Sequence, residues 1–193
     1  MEAIVIGASL DSDLVERARR GDADAFETIV RDRMGAVYRL SYAITGNEAD
    51  AADATQDAFV AAWKQVHSLR DASRLEAWLG RIAINSARMV VRARRRRSIR
   101  EIGHIDTRTH GDLSASPAGH MTASPAERDG AMLAAALDRL DPDQRAILAL
   151  RHLEDRGIPE IAATLGIPEG TAKSRLFTAR KALQGELDRE AGR

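Results

Sequence analysis

Two blocks of opposite charge contain the side chains that are best suited to bind other molecules. Residues 47–57 contain four carboxylates and no base, whereas residues 81–100 contain eight arginines and no acid. Seven of these arginines fall within residues 88–100. Such a run favours binding to phosphates, and a solvated helix end is the alternative. The net charge of zero therefore hides a segregation that is typical of two different partner surfaces.

The acidic block has two interpretations. Asp53, Gln56 and Asp57 lie three and four positions apart, so a helix would place them on neighbouring turns of one face. A solvated face is the default interpretation, and a docking surface for a basic partner is the alternative. The residues alone leave both open.

Asn85 is a polar residue within an apolar helical pattern. It lies in line with Trp78, Ile82 and Met89 at helical spacing, just before the densest part of the arginine tract. Its amide is either a structural hydrogen-bonding group or a group that faces a ligand. An amide offers both a donor and an acceptor, as the edge of a nucleic-acid base requires.

Residues 158–177 form the most specific pattern in the chain, which predicts a helix, a turn and a second helix. Gly166 can adopt the left-handed conformation that ends the first helix, and Ala162 is small where the two helices would cross. The residues that the second helix leaves outward are Thr171, Lys173, Ser174 and Arg175. An exposed basic helix after such a turn is typical of DNA recognition, and an ordinary helical hairpin is the alternative.

No set of residues suited to catalysis emerges. The five histidines are scattered, the chain has no cysteine, and it contains no phosphate-binding loop. We therefore expect neither an enzyme nor a protein with a metal or cofactor. No apolar run approaches the roughly 20 residues that span a bilayer, so we expect a cytoplasmic protein without membrane insertion.

Helical periodicity supplies the elements that would position these groups. Apolar stripes at three- and four-residue spacing run through residues 26–44, 51–66 and 75–90. Residues 98–130 are rich in Gly, Pro, Ser and Thr and predict a flexible linker. The predicted fold class is all-α. Its parts are an N-terminal extension at 1–12, a small helical domain at 13–97, the linker, and a second small helical domain at 131–193.

Three blocks together resemble the sigma-70 family of RNA polymerase sigma factors, in its extracytoplasmic-function group. The first block is Leu-Val-Glu-Arg-Ala-Arg-Arg-Gly-Asp at 14–22. The second joins Asp-Ala-Thr-Gln-Asp-Ala-Phe at 53–59 to Trp-Leu-Gly-Arg-Ile-Ala-Ile-Asn at 78–85 and the arginine tract. The third runs from Leu140 to Leu176 and includes the helix–turn–helix pattern. Their order and spacing carry the resemblance, which covers nearly all of the chain outside its first dozen residues and the linker.

The resemblance implies a role for each domain. The 13–97 domain would be sigma region two, in which Asp53, Gln56 and Asp57 dock on the coiled coil of the polymerase β′ subunit. The 131–193 domain would be sigma region four, whose second helix reads the minus-thirty-five element of promoter DNA and which touches the β flap. The residues expected at the minus-ten element are Leu69, Trp78, Asn85, Arg88, Arg92, Arg95 and Arg96. An anti-sigma factor is expected as a further partner.

The sequence departs from the family pattern at Leu69, among other positions, and two rival functions remain. Leu69 stands where many relatives have phenylalanine, and leucine cannot stack on a base as an aromatic ring does. The main rival is a helix–turn–helix transcriptional regulator with a helical effector domain. Such a regulator needs neither the acidic block nor the Asn85 segment with its arginine tract. The other rival is an enzyme acting on nucleic acid, and the lack of clustered carboxylates with histidine or cysteine argues against it.

Overall fold

A computed structural model describes residues 12–104 and 125–192, and every regular element within those residues is a helix. The α-helices are α1 (residues 12–19), α2 (Ala23–Thr45), α3 (Glu48–Gln65), α4 (Leu75–His104), α5 (Pro125–Asp138), α6 (Pro142–His152), α7 (Ile158–Leu165) and α8 (Glu169–Ala191). Two short 3-10 turns, Val66–Ser68 and Ala72–Arg74, join α3 to α4. The all-α prediction is therefore confirmed for the described part of the chain.

The helices extend into the segment that the sequence predicts to be a linker. α4 continues to His104 and α5 begins at Pro125, so both ends of the 98–130 segment are helical. Arginine has a high helix propensity, and proline suits a first helical turn because its missing N–H would be unpaired there anyway. Composition alone therefore does not indicate the residues at which these two helices end and begin. Residues 105–124, and residues 1–11 of the predicted extension, lie outside the described residues.

Local hydrogen bonds set the direction of α3 relative to α2. Gly46 ends α2 in the left-handed conformation with φ 68°, and its N–H donates to the carbonyl of Tyr42 at 2.8 Å. The side chain of Asn47 then accepts from the N–H of Asp50 at 2.9 Å. These bonds satisfy backbone groups that helix ends otherwise leave unpaired. These hydrogen bonds therefore fix the position of the acidic block next to the end of α2.

Small side chains bring α3 close to α2 and α4. The alanines of its predicted stripe are all fully buried, at 0% exposure, and they are Ala51, Ala54, Ala58 and Ala62. Because an alanine adds only one methyl group, the helix backbones can approach closely along this line. Thr55 and Phe59 are buried on the same side, whereas the predicted docking residues of α3 face solvent.

The buried stripe of α4 differs in one respect from the predicted one. Met89 was expected to face inward but is 67% exposed, whereas Ala83, Ala87 and Val91 are buried. Met89 lies two positions after Ala87, about 200° around the helix at 3.6 residues per turn. The prediction for Met89 was therefore wrong, because the core follows the alanines and the valine rather than the larger side chain.

The helices fall into two sets along the chain, and α5–α8 form the second set, after α1–α4. At the start of α6 the side chain of Gln144 accepts from the N–H of Asp141 at 3.1 Å, as the sequence pattern predicts. Gly166 ends α7 with φ 66°, and the N–H of Ile167 donates to the carbonyl of Ala162 at 3.1 Å. The predicted helix–turn–helix is therefore present.

The two sets of helices pack against each other, because α2 contacts α6 and α4 contacts α7. We call this contact the seam. Its ion pairs include Arg88 with Asp143 at 2.6 Å and Arg156 with Glu76 at 3.7 Å. Within the described ranges, none of the helices has the length and apolar content of a membrane span.

Candidate nucleic-acid interface

One face of α3 presents carboxylates to solvent around an apolar residue. Asp53, Gln56 and Asp57 are exposed, and Val60 beside them is 46% exposed. We call these four residues the acidic face. Neither carboxylate forms a salt bridge within the described residues. Such a face suits a basic partner surface that also offers an apolar pocket.

Val60 was missed by the sequence reasoning, although the sequence holds a signal for it. It lies two positions after Ala58, and therefore about 200° away from the buried alanine stripe. Asp50, at the start of the same helix, differs from the other acids because it pairs with Arg94 at 3.0 Å. The acidic block is therefore divided between a structural ion pair and an open face.

Three of the predicted minus-ten residues of α4 form a stripe together with Arg81. Arg81, Asn85, Arg88 and Arg92 are separated by four, three and four positions, which places them on one face of the helix. We call these four residues the basic stripe. Asn85 is exposed, and its side-chain oxygen accepts a long hydrogen bond from Arg88 at 3.4 Å. The amide is therefore a surface group rather than a satisfied core residue. Arg95 and Arg96, one turn further along, are also exposed.

Arg81 binds across the seam and was not among the predicted site residues. Its Nε donates to the carbonyl of Thr164 at 3.1 Å, and its Nη2 donates to the carbonyl of Ala163 at 2.6 Å. Both carbonyls belong to the last turn of α7, where helix carbonyls lack partners and attract cations. A Cβ at Gly166 would lie 3.1 Å from this guanidinium. The sequence did hold a signal for Arg81, because this residue lies seven positions, or about two helical turns, before Arg88.

The basic stripe is therefore partly covered by the C-terminal helices. Arg81 is bonded to α7, and Arg88, with a side chain 22% exposed, pairs with Asp143 at the start of α6. Asn85 lines a small cavity of about 170 Å³ together with Arg81, Arg88 and the end of α7. In this arrangement a DNA strand has access to Arg92 but only restricted access to the rest of the stripe.

Leu69 and Trp78 lie at a different cavity of the seam. Leu69 is only 5% exposed, so its side chain packs mainly into the core, and Trp78 is partly buried. Both line a cavity of about 940 Å³ between the loop after α3 and the turn of the helix–turn–helix. The structure therefore does not bring Leu69 and Asn85 into one pocket, although Arg81 and Gly166 line both cavities.

The loop in front of α4 is ordered by Asp71. Its carboxylate accepts from the hydroxyl of Ser73 at 2.7 Å and from the N–H of Ser73 at 3.0 Å. These two hydrogen bonds, followed by the charge of Arg74, hold the pKa of Asp71 below its usual value. The loop is thus preformed around its own carboxylate.

The second helix of the helix–turn–helix places its predicted residues as expected from their spacing. Lys173, Ser174 and Arg175 are exposed, and Thr171 is half-buried. Ala172, Leu176 and Ala179 hold the opposite face in the core. The Ser174 hydroxyl donates to the carbonyl of Thr171 at 3.0 Å. Sequence reasoning missed Phe177, which is 71% exposed on the same helix and can contact a groove or a partner.

A metal site requires several ligating side chains at one place. Within residues 12–104 and 125–192, no three or more His, Asp or Glu side chains come together in that way. Two of the three histidines of the predicted linker, His110 and His120, lie outside these ranges.

Comparison with protein families matches both halves of the chain. Residues 29–97 match the model of Sigma-70 region 2, and residues 131–183 match that of Sigma-70, region 4. The ECF RNA polymerase sigma-E factor of Haemophilus influenzae is 30% identical over 92% of this chain and 95% of its own length. The ECF RNA polymerase sigma factor SigE of Mycolicibacterium smegmatis is 34% identical over 84% of this chain, which spans 62% of that relative.

Two solved structures share the arrangement. CnrH, in complex with the cytosolic domain of CnrY, superposes with a TM-score of 0.65 at 27% identity and covers 93% of this chain and 97% of its own. The sigma factor RpoE of Bartonella quintana, in complex with the anti-sigma factor NepR, gives 0.59 at 26% identity and covers 84% and 96%. The expected fold and family are thereby confirmed: this chain belongs to the extracytoplasmic-function group of the sigma-70 family, the alternative, non-enzymatic sigma factors of RNA polymerase.

Proposed function

We propose that this sigma factor binds core RNA polymerase through the acidic face of α3. The basic stripe of α4 then meets the minus-ten element, and α8 meets the minus-thirty-five element. The observation that carries the proposal is that the acidic face is exposed and lies on a different helix from the basic stripe. Separate surfaces allow one partner to be held while the other is read.

Promoter binding requires the seam to open. By their names the two promoter elements lie about 25 base pairs apart, roughly 85 Å at 3.4 Å per base pair. A compact chain of this length has a radius of gyration of about 16 Å. The closed arrangement cannot therefore reach both elements, so region two and region four must separate on the promoter. This separation also frees Arg81 and Arg88 from α7 and α6.

Once released, the basic stripe suits an unpaired strand. Arginines hold the phosphates without reading sequence, while the Asn85 amide can pair with the edge of a base that has left the duplex. Opening each base-pair step costs about 1.4 kcal/mol. Phosphate contacts and base capture together would offset part of that cost.

We also propose an anti-sigma partner that holds the seam closed. The support is the likeness of this closed arrangement to the sigma factor RpoE bound to the anti-sigma factor NepR, and to CnrH bound to the cytosolic domain of CnrY. With core polymerase and promoter DNA as its targets, the protein would work in the bacterial cytoplasm, at the nucleoid.

The docking surface is tested by reversing its charge. Titration of a fluorescent chain with core polymerase should give at least a roughly tenfold weaker Kd for the double variant Asp53→Lys and Asp57→Lys, since each lost charge pair at an interface contributes about 1.5 kcal/mol or more. The control, Asp32→Lys with Asp129→Lys, reverses the same charge at exposed positions of α2 and α5. Equal loss in both double variants, or no loss in the first, would exclude the acidic face as the docking site.

A further inference from the structure

A second cavity on the seam is surrounded by arginines. It has a volume of about 270 Å³ and lies where the end of α2 meets α4, α5 and α6. Its lining includes Gly46, Arg94, Arg95, Asp138 and Arg145. It shares no residue with the cavities at Leu69 and Asn85, and the proposed contacts with polymerase do not use it.

Arg145 is the most buried of these arginines. Its side chain is 7% exposed. Within the described residues, its Nε donates to the carbonyl of Leu140 at 3.3 Å and its Nη1 to Asp138 at 3.4 Å. Both bonds are long, and a guanidinium has five N–H donors. Burial lowers the pKa of Arg145. The charge of Asp138, and less strongly that of Asp141, opposes this shift, and the charges of Arg95 and Arg94 add to it. This cation is therefore incompletely compensated.

The neighbouring arginines add positive charge around Arg145. Arg94 pairs with Asp50 at 3.0 Å, whereas Arg95 forms no salt bridge within the described residues. Three guanidinium groups thus border the cavity, with Asp138 as the only carboxylate in its lining. Like charges brought together at partial burial repel one another, and an anion between them removes that repulsion.

The backbone at Gly46 fits tightly against the same group of side chains. A Cβ at this position would lie 2.4 Å from a carboxylate oxygen of Asp138 and 3.0 Å from Nη1 of Arg145. The two halves of the molecule therefore meet closely at the edge of the cavity. An anion held there would contact α4 of one half and α6 of the other.

We propose that this cavity binds a small phosphate-type oxyanion between Arg94, Arg95 and Arg145, and that the anion ties the two halves of the chain together. Guanidinium forks match the geometry of phosphate oxygens. The volume falls just below the ~300–1,000 Å³ typical of sites for drug-sized ligands, which suits inorganic phosphate, pyrophosphate or the diphosphate of a nucleotide. This site does not depend on the proposed roles of the acidic face or of α8.

Calorimetric titration of the full chain tests the site, with inorganic phosphate, pyrophosphate and ADP as separate ligands at constant ionic strength. We expect saturable binding of pyrophosphate, weakened at least about tenfold in Arg95→Gln, because one charge-assisted donor group is lost. Arg97→Gln removes the same charge from an exposed position that does not line the cavity, and it should retain the affinity. Binding of ADP as tight as that of pyrophosphate would assign the site to a nucleotide diphosphate, and weaker binding of ADP would assign it to the free anion.

Thermal unfolding gives a second measurement. Pyrophosphate should raise the Tm of the wild-type chain and of Arg97→Gln to a plateau, and it should raise that of Arg95→Gln much less. The proposal fails if no titration saturates at millimolar pyrophosphate. It also fails if Arg95→Gln and Arg97→Gln behave alike, because a rise of Tm without a site is the general effect of an excluded salt. Circular dichroism of both variants establishes that they are folded.

Discussion

Removal of the Arg81 guanidinium is expected to open the seam. This side chain donates two hydrogen bonds, at 3.1 and 2.6 Å, to carbonyls in the last turn of α7. In Arg81→Ala these carbonyls return to water and the negative end of the helix dipole loses its cation. The cores of both halves are untouched by this change, because Arg81 is an exposed residue of α4.

The free energy that Arg81 contributes to closing the seam depends on how exposed its two hydrogen bonds are. Hydrogen bonds that involve a charged group contribute about 1.5–3 kcal/mol each, but exposed charge contacts contribute only about 0–1 kcal/mol. Since one of the two bonds is partly buried and the other is exposed, we take about 1–2 kcal/mol for both together. This corresponds to roughly a 5–30-fold increase in the ratio of open to closed molecules.

Single-molecule energy transfer measures that ratio directly. The chain contains no cysteine, so dyes can be placed by Ala52→Cys on α3 and Lys181→Cys on α8, both exposed positions. Arg81→Ala should increase the low-transfer population. Arg92→Ala should not, because Arg92 lies on the same stripe but forms no salt bridge within the described residues. Identical distributions for both variants would refute the assigned role of Arg81.

Three further predictions concern the reading residues and one backbone position. Asn85→Ala should reduce open-complex formation on duplex promoters more than on promoters with a pre-melted bubble, and it should flatten base preference in single-strand binding, with an unchanged Tm. Arg175→Ala should lose footprint protection of the upstream element, at a cost of about 1–3 kcal/mol if a guanine edge is contacted. Gly46→Ala should lower the free energy of unfolding in urea by about 1–2 kcal/mol, since alanine is strained at positive φ. Gly170→Ala, within α8 and without neighbours inside 4 Å, should instead be neutral or stabilising.

The sequence predicted those features that depend on local spacing. The alanine stripe of α3, the left-handed turn at Gly166 and the outward side of α8 all follow from residues within two turns of one another. The exposed positions of Asp53 and Arg175 follow from the same periodicity. The periodicity left the exposure of Asn85 open, because this residue lies in line with apolar side chains. Met89 shows where the rule stops, because which apolar side chain is buried at the edge of a stripe depends on the partner helix.

The contact between the two sets of helices at the seam could not be predicted from the sequence. Arg81 and Thr164 are 83 positions apart, and no local pattern in either segment indicates that they meet. The fold class and the linker led us to expect two separate domains, and the resemblance placed Leu69 at promoter DNA. Its burial in the closed arrangement is a property of packing between elements, as is the arginine cavity around Arg145.

Run-off transcription with core RNA polymerase is the most direct test of this account. Core polymerase alone and core with the chain are compared on genomic DNA fragments from the same bacterium. We expect discrete transcripts that depend on the chain, whose start sites share one upstream element and one minus-ten element. These transcripts should be lost with the double variant Asp53→Lys and Asp57→Lys and retained with Asp32→Lys and Asp129→Lys. Transcripts unchanged by the chain, although it binds core polymerase, would contradict the account.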